Sequence, residues 1–155
     1  MEKLDALNQV AEFHRTFNAP ILDTPQIPAK ERCALRVSLL QEELNELKAA
    51  IEDNDIVEIA DALCDLQYVL SGAVLEFGLG KKFPSLFDEV QRSNMSKACA
   101  NEKEAADTIS YYNEKGEDAF AEVSGSKINI HRKSDHKVLK NKHYSPADMK
   151  TILEN

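Results

Sequence analysis

Apolar positions between residues 39 and 79 fall into two series at helical spacing. Leu40, Leu44, Leu47 and Ile51 form the first, and Ile59, Leu63, Leu66 and Leu70 the second. The spacing predicts helices over 29–52 and 55–79, with stripes that bury against other elements. The connection from Glu52 to Asp55 is only a few residues long, which makes the two helices antiparallel neighbours. Gly72 lies inside the second helix, where glycine costs about 1 kcal/mol relative to alanine. It marks a close approach by another helix or a ligand.

The rest of the chain reads in the same terms. A helix over 1–17 carries Leu4, Leu7, Val10, Ala11 and Phe17 on its packed side. Pro20, Pro25 and Pro28 make 19–28 an extended loop, either a simple link or a lid over the cleft. Pro84 suits the first turn of a helix over 84–97, with Leu86, Phe87 and Val90 inward. Asn101 and Glu104 start a further helix that reaches Glu114 and closes at Gly116. Alternating residues 119–123 and 127–132 flank Ser124-Gly125-Ser126 and predict a hairpin. An extended piece at Val138 and Leu139 and a short helix after Ser145-Pro146 complete the chain. The expected fold is an all-α antiparallel bundle of about five helices with a small C-terminal β-hairpin and a short terminal helix. Length supports one domain over 1–155, with a helical core at 1–116 and a small β-containing extension at 117–155.

Composition narrows the partners. The formal charge is −8, which argues against binding nucleic acid polymers or anionic membranes. A small anion is not excluded, because a bound cation and a few basic residues invert the local charge. Cys33, Cys64 and Cys99 are three, widely spaced and without a CxxC pair, which fits reduced thiols and a cytoplasmic protein. Cys64 is expected to pack inside its helix. No apolar run is long enough to span a bilayer, and the start lacks the features of a signal peptide.

The candidate chemistry lies in carboxylates beside the two stripes. Glu43 and Glu46 are three apart and neighbour one another on the first helix, while Glu42 points to the opposite side. Glu58, Asp61 and Asp65 form a line at i, i+3 and i+7 on the second, which Tyr68 and Gly72 continue. Antiparallel packing lets Glu43, Glu46, Glu58 and Asp61 face one cleft. Carboxylates so placed raise one another's pKa, and a hard divalent cation with oxygen ligands relieves the repulsion. Glu58 has a structural alternative as the N3 partner of Asp55 in a capping box. Arg36 stands two turns before Glu43 on nearly the same line.

Glu43-x-x-Glu46, a spacer and Glu58-x-x-Asp61 resemble the metal-binding signature of the all-α nucleotide pyrophosphatases. That superfamily includes MazG-like proteins, dimeric dUTPases and phosphoribosyl-ATP pyrophosphatases. LLQEELNEL and EIADALCDLQYVLSGAVLEFG resemble its two central helices. LFDEVQRSNMSK and HRKSDHKVLKNKHYSPADMK resemble a phosphoribosyl-ATP pyrophosphatase-like subgroup, so the similarity covers nearly the whole chain.

The resemblance implies a Mg²⁺-dependent pyrophosphohydrolase, with Mn²⁺ as a substitute ion. It would cut a nucleoside triphosphate, or a related nucleotide, between the α and β phosphates. Glu43, Glu46, Glu58 and Asp61 would hold the metal. Glu46 and Asp65 are the catalytic candidates, and the general base is left unassigned. His14, Arg36, Asn94, Lys97 and Lys140 are the candidates for contacting the nucleotide. Two alternatives stay open: the phosphoribosyl-ATP reaction of histidine synthesis, and a catalytically silent nucleotide or metal sensor. A homodimer or homotetramer is implied as well.

Overall fold

The computed structural model describes residues 4–154, and the expected helix start at Met1 lies outside them. The chain divides into two compact units at Pro84 and Ser85. The first holds α1 (Ala6–Thr16), α2 (Lys30–Glu52) and α3 (Ile56–Glu76). Helix α3 packs against both α2 and α1. The turn between α2 and α3 is made by Asp53 and Asn54, and Asn54 takes a left-handed conformation with φ 54°.

Asp55 caps α3 as its sequence suggests. Its Oδ1 accepts from the amides of Val57 at 2.9 Å and Glu58 at 3.2 Å. The reciprocal half of a capping box is not made. The Asp55 amide donates instead to Ala50 O at 3.0 Å. The Glu58 carboxylate is therefore free of the structural task that its position offered.

The far end of α3 is fixed by the proline loop. Leu22 N donates to Leu75 O at 3.0 Å and Gln26 N to Phe77 O at 3.1 Å. The helix stops at Gly78, which has φ 69°. A Cβ there would lie 1.9 Å from Thr24 O, so both the conformation and the crossing strand require glycine. The loop at 19–28 thus runs along the C-terminal end of α3, while Glu58 and Asp61 stand at its start. This removes the lid among the two expectations for the loop.

The apolar stripes pack less completely than their spacing suggests. Leu40 and Leu47 are partly buried, but Leu44 is 51% and Ile51 55% exposed. On α3, Leu63 is 52% and Leu70 42% exposed. Val37, Leu40, Leu44, Leu47 and Ile51 repeat at alternating steps of three and four, as do Ile56, Ile59, Leu63, Leu66 and Leu70. A two-helix hairpin covers only one side of such a stripe. The interior of this unit is built instead from Val10, Ala11 and Leu75, with Ile21 against them.

The second unit contains α5 (Glu102–Asn113), α6 (Met149–Glu154) and a three-stranded antiparallel sheet in the order β1 (Ala119–Ser124), β2 (Lys127–Arg132), β3 (Val138–Leu139). Helix α4 (Phe83–Met95) begins at the boundary and runs into this unit. The expected all-α class with a two-stranded hairpin is therefore corrected. The chain is mostly helical, but the extended piece at 138–139 joins the hairpin as a third strand. Helix α5 packs on β1 and β2, around a core of Cys99, Ala105, Ala119, Ile130 and Leu139. The tail is held to α4 by Glu89, which accepts from Arg92 at 2.7 Å and from Asp148 N at 2.9 Å. Those bonds hold the Glu89 carboxyl down at about 2.

Candidate functional site

The carboxylates predicted from sequence stand on the facing helices α2 and α3 of the first unit. Glu43 is partly buried, and its Oε2 is enclosed without a hydrogen-bond partner. Burial raises its pKa first, and the charges of Glu46, Asp65, Glu42 and Asp61 raise it further. Glu43 is thus the point where acidic residues of both helices meet electrostatically. Glu46 and Asp61 are exposed and Asp65 is partly buried. Among the described residues, Glu43, Glu46, Glu58, Asp61 and Asp65 have no side-chain hydrogen bond and no cationic partner. Glu58, at the exposed first turn of α3, is not among the charges acting on Glu43.

Unpaired carboxylate oxygens on facing helices, one enclosed, are the donor chemistry of a hard divalent cation. The side chains are not gathered into a finished cage. Among the described residues, no three His, Cys, Asp or Glu stand close enough to hold an ion as they are. Side-chain rotation on exposed helix positions would have to bring Glu46 and Glu58 inward.

Two predicted nucleotide contacts, His14 and Arg36, belong to a buried charge cluster. Glu76 is 1% exposed and accepts hydrogen bonds from Arg32 Nε at 3.1 Å, from Arg32 Nη2 and from Arg36 Nη2. Arg36 Nη2 also lies 3.3 Å from His14 Nε2, and His14 Nδ1 lies 2.8 Å from Pro20 O. A guanidinium can only donate and a carbonyl can only accept. The His14 ring therefore carries its proton on Nδ1 and accepts through Nε2. His14, 2% exposed, is part of the interior and not a surface histidine at a helix end.

Gly72 explains how the cluster fits. A Cβ there would lie 2.7 Å from Arg36 Nη1 and 3.1 Å from His14 Nε2. The close approach expected at this glycine is made by these two side chains. Arg32 and Glu76 were not among the sequence candidates. The signal available was Arg32 and Arg36 four apart on one helix face, and an acid inside the apolar run Val74-Leu75-Glu76-Phe77.

Asn94, Lys97 and Lys140 lie in the second unit. Lys97 Nζ donates to Asn94 Oδ1 at 2.7 Å, and Lys140 Nζ sits 4.5 Å from the centre of the Tyr144 ring. The cysteines are free; Cys99 is buried, Cys33 partly so, and Cys64 is exposed, contrary to its expected packing role. It lines an open cavity with Leu4 and Val10. No helix of the described residues is long and apolar enough to cross a membrane.

Comparison with known proteins gives two findings. The family model for phosphoribosyl-ATP pyrophosphohydrolase matches residues 10–94, more than half of the chain. An uncharacterised protein of Acanthamoeba polyphaga mimivirus is 30% identical over 104 residues, covering 64% of this chain. The chain spans 41% of that relative's length.

Proposed function

Because the chain belongs to the phosphoribosyl-ATP pyrophosphohydrolase family, we propose that it is a Mg²⁺-dependent nucleotide pyrophosphohydrolase. The substrate is a nucleoside triphosphate or related nucleotide, cut between the α and β phosphates to a monophosphate and pyrophosphate. The observation that carries this reading is Glu43, enclosed, unpartnered and raised by acidic neighbours from both helices. Glu43, Glu46, Glu58 and Asp61 would hold the ion. When bound, a divalent cation offsets the charge of the phosphate oxygens and stabilises what develops on them.

The chain's own residues do the rest. Glu46 and Asp65 flank Glu43 and are unpaired, so either can take the proton of the attacking water. Arg32 and Arg36 against Glu76 leave one net positive charge in a cluster that is buried at Arg36 and Glu76 and partly exposed at Arg32. Arg36 lies two turns from Glu43 and Arg32 three, and their net charge favours a polyphosphate on this face. His14 and Arg36 are buried and engaged with Pro20, each other and Glu76, so they act on a substrate through the cluster's charge and not by the direct contact expected of them.

The family description favours a second reading with equal weight, phosphoribosyl-ATP as the substrate. The test is pyrophosphate release from a panel of canonical and modified triphosphates and phosphoribosyl-ATP, with Mg²⁺ and with chelator. Release with monophosphate as co-product, lost in chelator, is expected from one member or a related group. A folded protein that releases nothing from any member contradicts the enzyme reading in favour of a silent binding module.

The exposed apolar steps at Leu44, Ile51, Leu63 and Leu70 support a homo-oligomer in which α2 and α3 meet the same pair of a second copy. A monomeric mass by light scattering at working concentration would count against it. Three free thiols accord with a reduced, cytoplasmic setting.

A further inference from the structure

His131 and Glu122 meet on the face of the three-stranded sheet that α5 leaves open. Helix α5 packs on β1 and β2, where Ala119 and Ile130 belong to the buried core. Side chains alternate along a strand. Phe120 and Glu122 on β1, with Asn129 and His131 on β2, therefore lie on the opposite face. Phe120 pairs with His131 and Glu122 with Asn129, which makes Glu122 and His131 diagonal neighbours.

The His131 ring is set as the ring of a metal ligand is. Its Nδ1 lies 3.1 Å from His136 O, and a carbonyl only accepts, so Nδ1 carries a proton. Histidines that bind metal through one nitrogen almost always donate the other N–H to a carbonyl, a carboxylate or water. The accepting carbonyl is itself held in place. His136 N donates to Arg132 O at 2.9 Å, and Asp135 accepts from Lys137 N and Arg132 Nη1, both at 3.1 Å. Phe120 stacks on the His131 ring, with centres 5.5 Å apart.

The second ring nitrogen has no such partner. Nε2 is enclosed and makes no hydrogen bond, although Glu122 Oε2 is only 3.2 Å away. The oxygen thus stands off the line that an N–H···O bond needs. A lone pair beside a carboxylate is repelled unless a positive charge lies between them. Two ligands of a tetrahedral zinc ion, each about 2.0–2.2 Å from the metal, stand roughly 3.3 Å apart. The spacing of Nε2 and Oε2 matches that value. An ion shared by both atoms also sits off the line that joins them, which the placement of the carboxylate allows.

The geometry points to a site for a zinc-class divalent cation, held by His131 Nε2 and Glu122 across β1 and β2, with His136 as the third ligand. The His136 ring meets Phe120 edge to face at 5.5 Å, and among the described residues it has no hydrogen bond. It turns to the ion without breaking one. This rotation is part of binding, because no three such side chains stand close enough as they are among the described residues. A mixed nitrogen and oxygen donor set suits zinc, whereas Mg²⁺ takes oxygen alone. The site therefore differs from the α2–α3 carboxylates in its unit, its donors and its ion. Its role is structural: the ion staples β1, β2 and the turn before β3. The second unit is less than half of the chain, and its core is a few small or medium side chains. Units with so little core commonly gain from a metal staple.

The test titrates zinc into the full-length protein at neutral pH, with Mg²⁺ in excess to occupy the carboxylates of α2 and α3. Ring nitrogens of the histidines are followed by nitrogen–proton correlation spectra. His131 Nε2 is expected to move from the position of an unprotonated nitrogen to that of a metal-bound one, and a chelator should reverse the change. Mg²⁺ alone should leave it unmoved. Glu122→Gln changes a side chain that is 64% exposed, so the fold is kept. His136→Asn suits the left-handed backbone at φ 57°. Each variant should weaken zinc binding by at least about tenfold. An Nε2 signal that stays unmoved at millimolar zinc would overturn the inference, as would zinc bound equally well by either variant. A His131 ring that keeps protons on both nitrogens throughout the titration would overturn it too, by making the contact with Glu122 a plain ion pair.

Discussion

Glu43→Gln is expected to abolish pyrophosphate release, by about a hundredfold or more, and to raise the melting temperature of the metal-free protein. The two effects have one cause. Glu43 is partly buried, and burial together with Glu46, Asp65, Glu42 and Asp61 raises its carboxyl above the ordinary value. The folded protein binds this proton more tightly than the unfolded chain does. Its ionised form therefore costs stability at neutral pH, and that cost is relieved as pH falls through the folded value. Glutamine keeps the shape and removes the charge, so the fold gains. A cation at this site would lose the negative charge of its enclosed ligand, and the loss to catalysis would be of the size seen when a group opposing transition-state charge is removed. Thermal unfolding with and without Mg²⁺ checks both halves. Mg²⁺ should stabilise the wild type by occupying the site, and the variant much less. A variant that is both less stable and fully active would contradict this account of Glu43.

Glu76→Ala should cost roughly 3–5 kcal/mol of stability. The acid is 1% exposed and accepts from two arginines, so its removal leaves the Arg36 guanidinium buried without a counter-charge. Arg36 Nε is already an enclosed donor without a partner, which leaves no local substitute. Here the sign is opposite to that of Glu43. Burial pushes the Glu76 carboxyl up, but hydrogen bonds and charge from Arg32 and Arg36 outweigh it and hold it below the ordinary range. Stability from this group is complete above the unfolded carboxylate pKa and is lost as pH falls through the folded value. Denaturant unfolding across that acid window should show the wild type losing stability steeply and Glu76→Ala losing less. Equal pH slopes in the two proteins would sink the assignment of this cluster as a charged one.

The elements of the first unit were legible because each has a local cause. Asp55 caps α3, and the short connection from Glu52 to Asp55 sets it antiparallel to α2. The carboxylates were legible for the same reason, since spacing alone sets which of them share a face. Burial was less so. Leu44 and Leu63 repeat at core spacing but remain half exposed, because a stripe's period says that it is to be covered and not what covers it. The Glu76 cluster escaped because it joins α1, α2 and the end of α3 across the sequence, and no local pattern marks such a meeting. The 138–139 segment was read as extended, but its pairing with Ile130 and His131 depends on long-range register.

Manganese titration of the wild type and Glu43→Gln, followed by the free-ion electron spin signal, tests the central claim most directly. The ion prefers oxygen donors, as Mg²⁺ does, and its binding is read without any choice of nucleotide. The account predicts saturable binding in the wild type and its loss, or a large weakening, in a variant that remains folded. A wild type that leaves the manganese free, or a Glu43→Gln protein that binds it equally well, would contradict the claim that these carboxylates form a metal site.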